Sequence, residues 1–262
     1  MRPPCLPVLL AIPLFLAGNC GVLAGCSDAN AIGVSRVLAV DTAGGLEVGR
    51  FQYRQTLPLA DKEFVLTFDD GPLSGTTDKI LTSLRDACAK ATFFIVGTMA
   101  AAHPELVRAA QSEGHTIGTH SYNHPETLEK LSFAEGVSQI DRGIALVTKA
   151  LGQAPSPFFR FPGLGATPAL SAKLFKENIG IIGVDAMAYD WALLTPDSVR
   201  QRAISELERH HGGILLLHDT KRATAAMLPQ LLSELKQRGF HLVHIVPARA
   251  LPAALIGPGK SD

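Results

Sequence analysis

The chain has 262 residues, 24 lysines and arginines against 24 aspartates and glutamates, and 47% hydrophobic residues. A formal net charge of zero gives no electrostatic footprint for nucleic acid or another strongly charged partner. There is no internal repeat and no low-complexity tract, and the length suits one α/β domain of barrel size with a substantial core.

Residues 1–25 read as a targeting segment. Arg2 supplies one positive charge, and Leu6 to Leu23 is almost wholly apolar, interrupted by Pro7, Pro13 and Asn19. The prolines argue against a permanent membrane span in a stretch already near minimum length. Small residues before the cut suit a signal peptidase, and Leu23-Ala24-Gly25-Cys26 resembles the bacterial lipobox. That resemblance implies export, a lipid on Cys26, and attachment to the cell envelope through that lipid alone, on the periplasmic side; Ser27 favours the outer membrane. An ordinary secretory signal with Cys26 as a bystander is the alternative. Cys5 and Cys20 would leave with the signal. Cys88 is then alone, without a disulfide framework, and its four-residue spacing from Leu84 and Ile80 places it on a buried helix face. Residues 26–60 read as a tether and a small β-hairpin built from Arg36–Val40 and Gly49–Tyr53, 61–250 as the main domain, and 251–262 as a tail.

From Glu63 onward apolar runs alternate with helical periods. The runs lie at 63–68, 92–96, 115–119, 157–161, 180–185, 213–217 and 241–246. Between them, Ser132 and Glu135 form a capping box ahead of Val137, Ile140, Ile144, Val147 and Leu151 on one face. Thr167-Pro168 and Thr195-Pro196 are N-cap and first-turn pairs, and Gly180, Gly212 and Gly239 stand where helices should stop. Seven strands with helical crossovers predict a single-domain parallel α/β fold. Periodicity leaves open whether the sheet closes. In either case sites form beyond the carboxyl ends of the strands.

The ionisable residues obey that rule. Asp69 and Asp70 follow the first run, His120 and His124 the third, Arg160 ends the fourth, Asp185 and Asp190-Trp191 follow the fifth, and His218-Asp219 the sixth. Neighbours on an extended strand point to opposite sides, so Asp69 and Asp70 have different jobs. The two histidines, four apart, share a face if the segment is a helical turn. With Asp70 they make a two-histidine, one-carboxylate set that leaves positions open for water and substrate. Zinc is the default ion, and cobalt, manganese or nickel would be accepted.

Thr67-Phe68-Asp69-Asp70-Gly71-Pro72, His120-Ser121-x-x-His124, Arg160-Phe161-Pro162, Asp190-Trp191 and Leu215-x-x-His218 together resemble the five ordered motifs of the NodB-type polysaccharide deacetylases, carbohydrate esterase family four. The resemblance spans about residues 60 to 248. It implies a distorted seven-stranded (β/α) barrel and metal-dependent N-deacetylation of an N-acetylated glycan. By motif, Asp69 is the general base, paired with an Arg160 that keeps it ionised. Asp70, His120 and His124 are the metal ligands, and His218 is the general acid oriented by Asp190. Trp191, Leu215 and Leu217 line the acetyl pocket, and the backbone N–H of Gly163 is the oxyanion donor. Gly163 and Leu164 replace a tyrosine and glycine common in the family, which implies a missing tyrosine wall and a wider cleft. Asp185 reads equally as a turn cap or a site residue, and Asp219 as a loop or capping residue. His103, His115, His210, His211, His241 and His244 lack motif company and read as structural or surface histidines.

Three readings follow. The first is an envelope-anchored, monomeric deacetylase of N-acetylglucosamine units in peptidoglycan or chitin-like oligosaccharide. The second is a metal amidase on a small non-sugar amide, which requires a closed pocket rather than an open groove. The third is a non-catalytic glycan-binding lipoprotein, disfavoured because every acid, base and ligand is present.

Overall fold

The computed structural model describes residues 28, 30–193 and 195–248. The expected signal segment, the lipobox cysteine and the tail from 251 lie outside these residues.

Each of the seven apolar runs forms a strand, and the pairings are parallel. The centre is β3 (Glu63–Asp69), in which every residue after Glu63 is buried. That is the state of a strand covered on both faces, and it explains an uninterrupted apolar run. Beside β3 lie β9 (Gly212–His218) along its whole length and β4 (Thr92–Ile95) along its carboxyl half. From β4 the sheet continues through β5 (Thr116–Thr119), β6 (Phe158–Phe159) and β7 (Gly180–Ile182).

The run expected at 180–185 is divided. After β7 the chain bends and resumes as β8 (Ala186–Met187), which pairs with β9. One bent stretch thus joins β6 at its start to β9 at its end, and the sheet returns on itself as a distorted barrel. β10 (His241–Pro247) meets β3 only through its first two residues.

The expected N-terminal hairpin is not formed. β1 (Arg36–Val40) pairs with β10 and β2 (Glu47–Val48) with β7, both in parallel. Both outer strands offer an unpaired edge, and pairing there satisfies more backbone groups than an isolated two-stranded hairpin would.

The crossovers are α1 (Thr77–Asp86), α2 (Gly97–Ala102) with α3 (Pro104–Ser112), α4 (Phe133–Leu151), α5 (Pro168–Lys176), α6 (Pro196–His210) and α7 (Arg222–Gln237). Pro104 divides the single crossover expected between β4 and β5, since proline starts a helix but cannot continue one. The Ser132–Glu135 capping box is formed in both directions, and Thr167 and Thr195 cap α5 and α6 through their hydroxyls. The helix stops differ from expectation. Gly239 follows α7 with φ +77, but α5 and α6 end on Asn178 and His211 at φ +55 and +58, while Gly180 and Gly212 open the next strands. Cys88 also differs. It lies past the end of α1 in a turn at φ +49 and is disulfide-bonded, so it is neither a helix-face residue nor alone. The other three cysteines lie outside the described residues.

Strand alternation decides what the barrel holds. Phe64, Leu66 and Phe68 of β3 and Leu215 and Leu217 of β9 pack with the helical residues Ile80, Leu84, Leu207 and Leu228. Val65 and Ile214 pack with Phe94, Phe158 and Ile182 in a separate cluster. Each fully buried leucine or phenylalanine contributes about 1.5–3 kcal/mol, so the register that aims Asp69 and His218 away from the helices is strongly specified.

Candidate active site

The carboxyl ends of the strands open into a cleft of about 670 Å³, within the usual range of ligand sites. Asp69, Asp70, His120, His124, Gly163, Trp191 and His218 all line it.

Asp69 closes β3 and is buried. Its Oδ1 accepts from Arg160 Nη1 at 2.8 Å. Arg160 is wholly buried and also donates to Thr67 Oγ1 at 2.8 Å, the Ile182 carbonyl at 2.8 Å and the Gly183 carbonyl at 2.9 Å. Its guanidinium lies 4.2 Å from the centre of the Phe94 ring. The expected pair is present, but its electrostatic outcome differs. Burial dominates and raises the Asp69 carboxyl above its ordinary value, against the opposing pull of Arg160 and His218. Arg160 is itself pushed down by burial.

Asp70 leaves the strand in the left-handed region, φ +77, which aspartate tolerates better than most residues. The next residue must be glycine, because a Cβ on Gly71 would stand 2.0 Å from Asp219 Oδ2. Asp219 occupies that space as a buttress. It accepts from Thr77 Oγ1 at 2.7 Å, its own N–H donates to the Asp69 carbonyl at 3.3 Å, and burial raises its carboxyl to about 7.

Residues 120–124 are a loop rather than the expected helical turn, with Ser121 at φ +67 and His124 at φ +54. The two imidazoles nevertheless converge, with ring centres 5.0 Å apart. Asp70 Oδ1 lies 3.6 Å from His120 Nε2 and 3.3 Å from His124 Nε2. The ligand atoms of the three residues lie within 4.8 Å of one another. His120 Nδ1 is hydrogen-bonded at 2.7 Å to the Arg160 carbonyl, so Nε2 is turned towards the cluster, the arrangement of a metal-ligating histidine. Burial lowers the His120 imidazole to about 3 and keeps it in the neutral, ligating form. Asp70 Oδ1 is buried with no hydrogen-bond partner. Donors around a tetrahedral ion at about 2.1 Å stand about 3.4 Å apart, so the Asp70–His120–His124 set fits a divalent cation.

His218 ends β9. Its Nδ1 and its backbone N–H each meet one oxygen of Asp190 at 2.7 Å, and Asp190 also accepts from Thr224 Oγ1 at 2.5 Å. Burial would lower this imidazole, but the Asp190 hydrogen bond and the charges of Asp190, Asp70 and Asp69 outweigh it and raise it to about 9. Trp191 packs edge-on against His218, ring centres 5.3 Å apart.

Leu215 and Leu217 are corrected. Both are buried against the helices. The cleft is lined by Leu216, which shares the side of His218 because strand residues alternate. Asp185 also resolves. It accepts from Arg50 N, Thr56 Oγ1 and Ile214 N at 2.7, 2.6 and 2.8 Å and lies outside the cleft. Tyr189 also lines the cleft next to Trp191, and both it and Leu164 pack on the cluster of Val184, Met187 and Leu216. Phe161, next to Arg160 in its motif, lines the cleft as well, and Phe51, Glu126, Met187 and Lys221 complete the lining unannounced by any motif.

Residues 57–177 match the family model for polysaccharide deacetylase. The chain is 35% identical over 187 residues to the peptidoglycan-N-acetylglucosamine deacetylase PgdA of Listeria monocytogenes, covering 71% of this chain and 38% of that protein. It therefore spans about two fifths of that relative. It is 31% identical to a peptidoglycan-N-acetylglucosamine deacetylase of Bacillus cereus, over 75% of this chain and 71% of that one. Among solved structures, the Bdellovibrio bacteriovorus peptidoglycan deacetylase Bd3279 superposes with a TM-score of 0.74 at 32% identity, covering 81% of this chain and 59% of that chain.

Proposed function

Because this chain belongs to the polysaccharide deacetylase family, we propose that it is a metal-dependent N-deacetylase removing acetyl groups from N-acetylglucosamine units of a glycan, peptidoglycan or a chitin-like oligosaccharide. The observation that carries this reading is one cleft in which a two-histidine, one-carboxylate set stands between a buried Asp69–Arg160 pair and a His218–Asp190 pair.

Asp70, His120 and His124 would hold the cation, zinc by default and cobalt, manganese or nickel by the same donor chemistry. When bound, it supplies polarisation of the amide carbonyl and acidification of a water. Asp69 takes the proton from the attacking water, a task suited by a carboxyl that burial raises above its ordinary value. A carbon–oxygen bond forms at the acetyl carbon, and the backbone N–H of Gly163 donates to the oxyanion. His218 gives its Nε2 proton to the sugar nitrogen as the carbon–nitrogen bond breaks, leaving acetate and an amine. Asp190 and Thr224 hold the imidazole in place, and Trp191, Leu216 and Tyr189 shape the acetyl side of the cleft.

A polymer needs an open groove. Trp191 is 45% exposed and Phe51 60% exposed on the cleft lining, which supports a glycan over a small amide. The same substrate class supports an envelope location; lipid attachment at Cys26 would use that sulfur in a thioether and so exclude it as the disulfide partner of Cys88. Among the described residues no helix is long and apolar enough to cross a membrane.

The test is acetate release from peptidoglycan and from N-acetylglucosamine oligomers, with and without chelation and in Asp70→Ala. The expected outcome is release that chelation abolishes, that added zinc or cobalt restores, and that falls at least about 100-fold in Asp70→Ala. Full activity after metal stripping would refute the metal mechanism, and glycan binding without any release would establish the non-catalytic reading. In the same cells, Cys26→Ser should move the protein out of the membrane fraction; no change there would remove the lipid anchor.

A further inference from the structure

The segment before residue 57, outside the family match, contributes a side chain to the cleft. Phe51 lines it together with the metal-ligand set and is 60% exposed. It shares that lining with Trp191, a second exposed ring, and aromatic side chains on a concave lining are a feature of ligand sites. The backbone that carries this ring is firmly mounted. The Phe51 N–H donates to the Val184 carbonyl at 3.0 Å, and the Arg50 N–H donates to Asp185 Oδ1 at 2.7 Å. Thr56 Oγ1 donates to Asp185 Oδ2 at 2.6 Å, and the Val184 N–H donates to Gln52 Oε1 at 3.1 Å. Asp185, doubtful from sequence, thereby gains a task. It ties the Phe51 loop to the Ile214 N–H of β9 at 2.8 Å, four residues before His218. Gly49 allows the close approach, since it sits at φ +113 and a Cβ there would stand 2.3 Å from Val184 N.

We propose that Phe51 is a glycan-positioning residue. Its ring takes the apolar face of a sugar neighbouring the N-acetylglucosamine unit at the metal-ligand set, so that the N-terminal segment confers a preference for oligomers over the single sugar. The inference rests on the deacetylase reading and extends it to the occupant of one subsite. Aromatic faces and the C–H faces of pyranose rings are complementary apolar surfaces. Trp191, packed on His218, serves the reacting unit, whereas Phe51 reaches the cleft from a different segment. Rigid mounting matters because a loop already held in place loses little backbone freedom when a sugar covers its ring.

The test compares zinc-loaded wild type, Phe51→Ala, Phe51→Trp and Phe133→Ala on the pentamer and the monomer of N-acetylglucosamine. Phe133 is also exposed, at 55%, but lies on α4 and outside the cleft lining. Phe51→Ala should raise KM for the pentamer about 3- to 10-fold with kcat retained, the scale of one aromatic contact. The pentamer-over-monomer preference should fall by the same factor. Phe51→Trp should restore it and Phe133→Ala should leave it intact, with thermal midpoints recorded for all four. An unchanged pentamer KM in Phe51→Ala, or an equal loss on both substrates, overturns the assignment while leaving the deacetylase reading in place. A wild-type protein that releases acetate from peptidoglycan but from neither of these sugars overturns the assignment alone, and one that releases none from any of the three overturns both.

Discussion

At the scale of single residues, His218 shows how its neighbours set a protonation state. An imidazole this buried would ordinarily titrate low, yet Asp190 at 2.7 Å and the charges of Asp70 and Asp69 carry it up to about 9. It therefore carries a proton through neutral pH, as a group that protonates a departing amine must. A cation beside Asp70, whose Oδ2 is 3.9 Å from His218 Nε2, lowers it from there, so the alkaline limb of kcat/KM falls at or below pH 9. In Asp190→Asn the largest raising influence disappears while burial remains. The limb should then move at least one unit towards acid, with kcat/KM at pH 7 lower by about 100-fold or more. A pH–rate profile of the two proteins checks this, and an unmoved limb would show that Asp190 does not act through His218. Arg160 illustrates the companion rule for buried charge. Its four hydrogen bonds and the Phe94 ring offset the cost of desolvating a guanidinium, which an isolated Asp69 partner would not.

At the scale of elements, β9 carries a sharp test of register. Leu216 and Leu217 are adjacent and chemically identical, but Leu217 packs under the helices and Leu216 on the cleft. Leu217→Ala should cost about 2–5 kcal/mol in urea unfolding, the range for a buried leucine, with KM unaltered in the folded protein. Leu216→Ala should alter KM for the acetylated substrate at a smaller stability cost, because part of its surroundings is cleft rather than packed core. Equal stability losses with unchanged KM in both would mean that the sides are wrongly assigned. The seven strands were legible because parallel strands buried on both faces read as plain apolar runs, and the helices because caps and periodicity are local. Leu216 was legible too, since period two places it on the side of His218, and motif resemblance to Leu215 and Leu217 obscured that parity. The convergence of His120 and His124 was legible only as spacing. Their loop depends on left-handed backbone at Ser121 and His124, which non-glycine residues do not advertise. The pairing of Arg36–Val40 with Gly49–Tyr53 into a hairpin fails because β1 and β2 (Glu47–Val48) take partners, β10 and β7, more than 130 residues away, and residues 49–53 form a turn. Nothing in sequence announced that Phe51 would reach the cleft, since its position follows from those distant pairings.

At the scale of the whole molecule, the barrel keeps chemistry at one end and buried neutral histidines away from it. His115 immediately precedes β5, whereas His120 immediately follows it, so one short strand separates the two environments. His115 is buried, pushed down to about 3 by desolvation and by the positive charges of Lys90, His244 and Arg85. His244, on β10, meets Thr116 Oγ1 at 3.0 Å and is lowered by burial to about 4. Glu113 lies 4.0 Å from His115, too far to offset desolvation. Because both folded-state values lie below the ordinary histidine value of 6.5, the unfolded chain binds more protons at mildly acid pH. Stability is therefore complete above about pH 6.5 and is lost as pH falls towards 4 and then 3, by up to ~1.4 kcal/mol per pH unit for each histidine. His120 belongs to the same class, and a ligating metal that keeps it neutral in the fold leaves its proton uptake on unfolding in the balance. Between pH 6 and 4 His115 and His244 each contribute up to about 1.4 kcal/mol per unit to the loss, so His115→Gln or His244→Gln should each make the slope less steep by about that amount. Urea unfolding at half-unit intervals of pH measures it. A slope indifferent to both substitutions would place acid sensitivity in the carboxylates instead, with Asp69 and Asp219, both raised by burial, contributing no such loss because a raised carboxyl favours the protonated fold as pH falls.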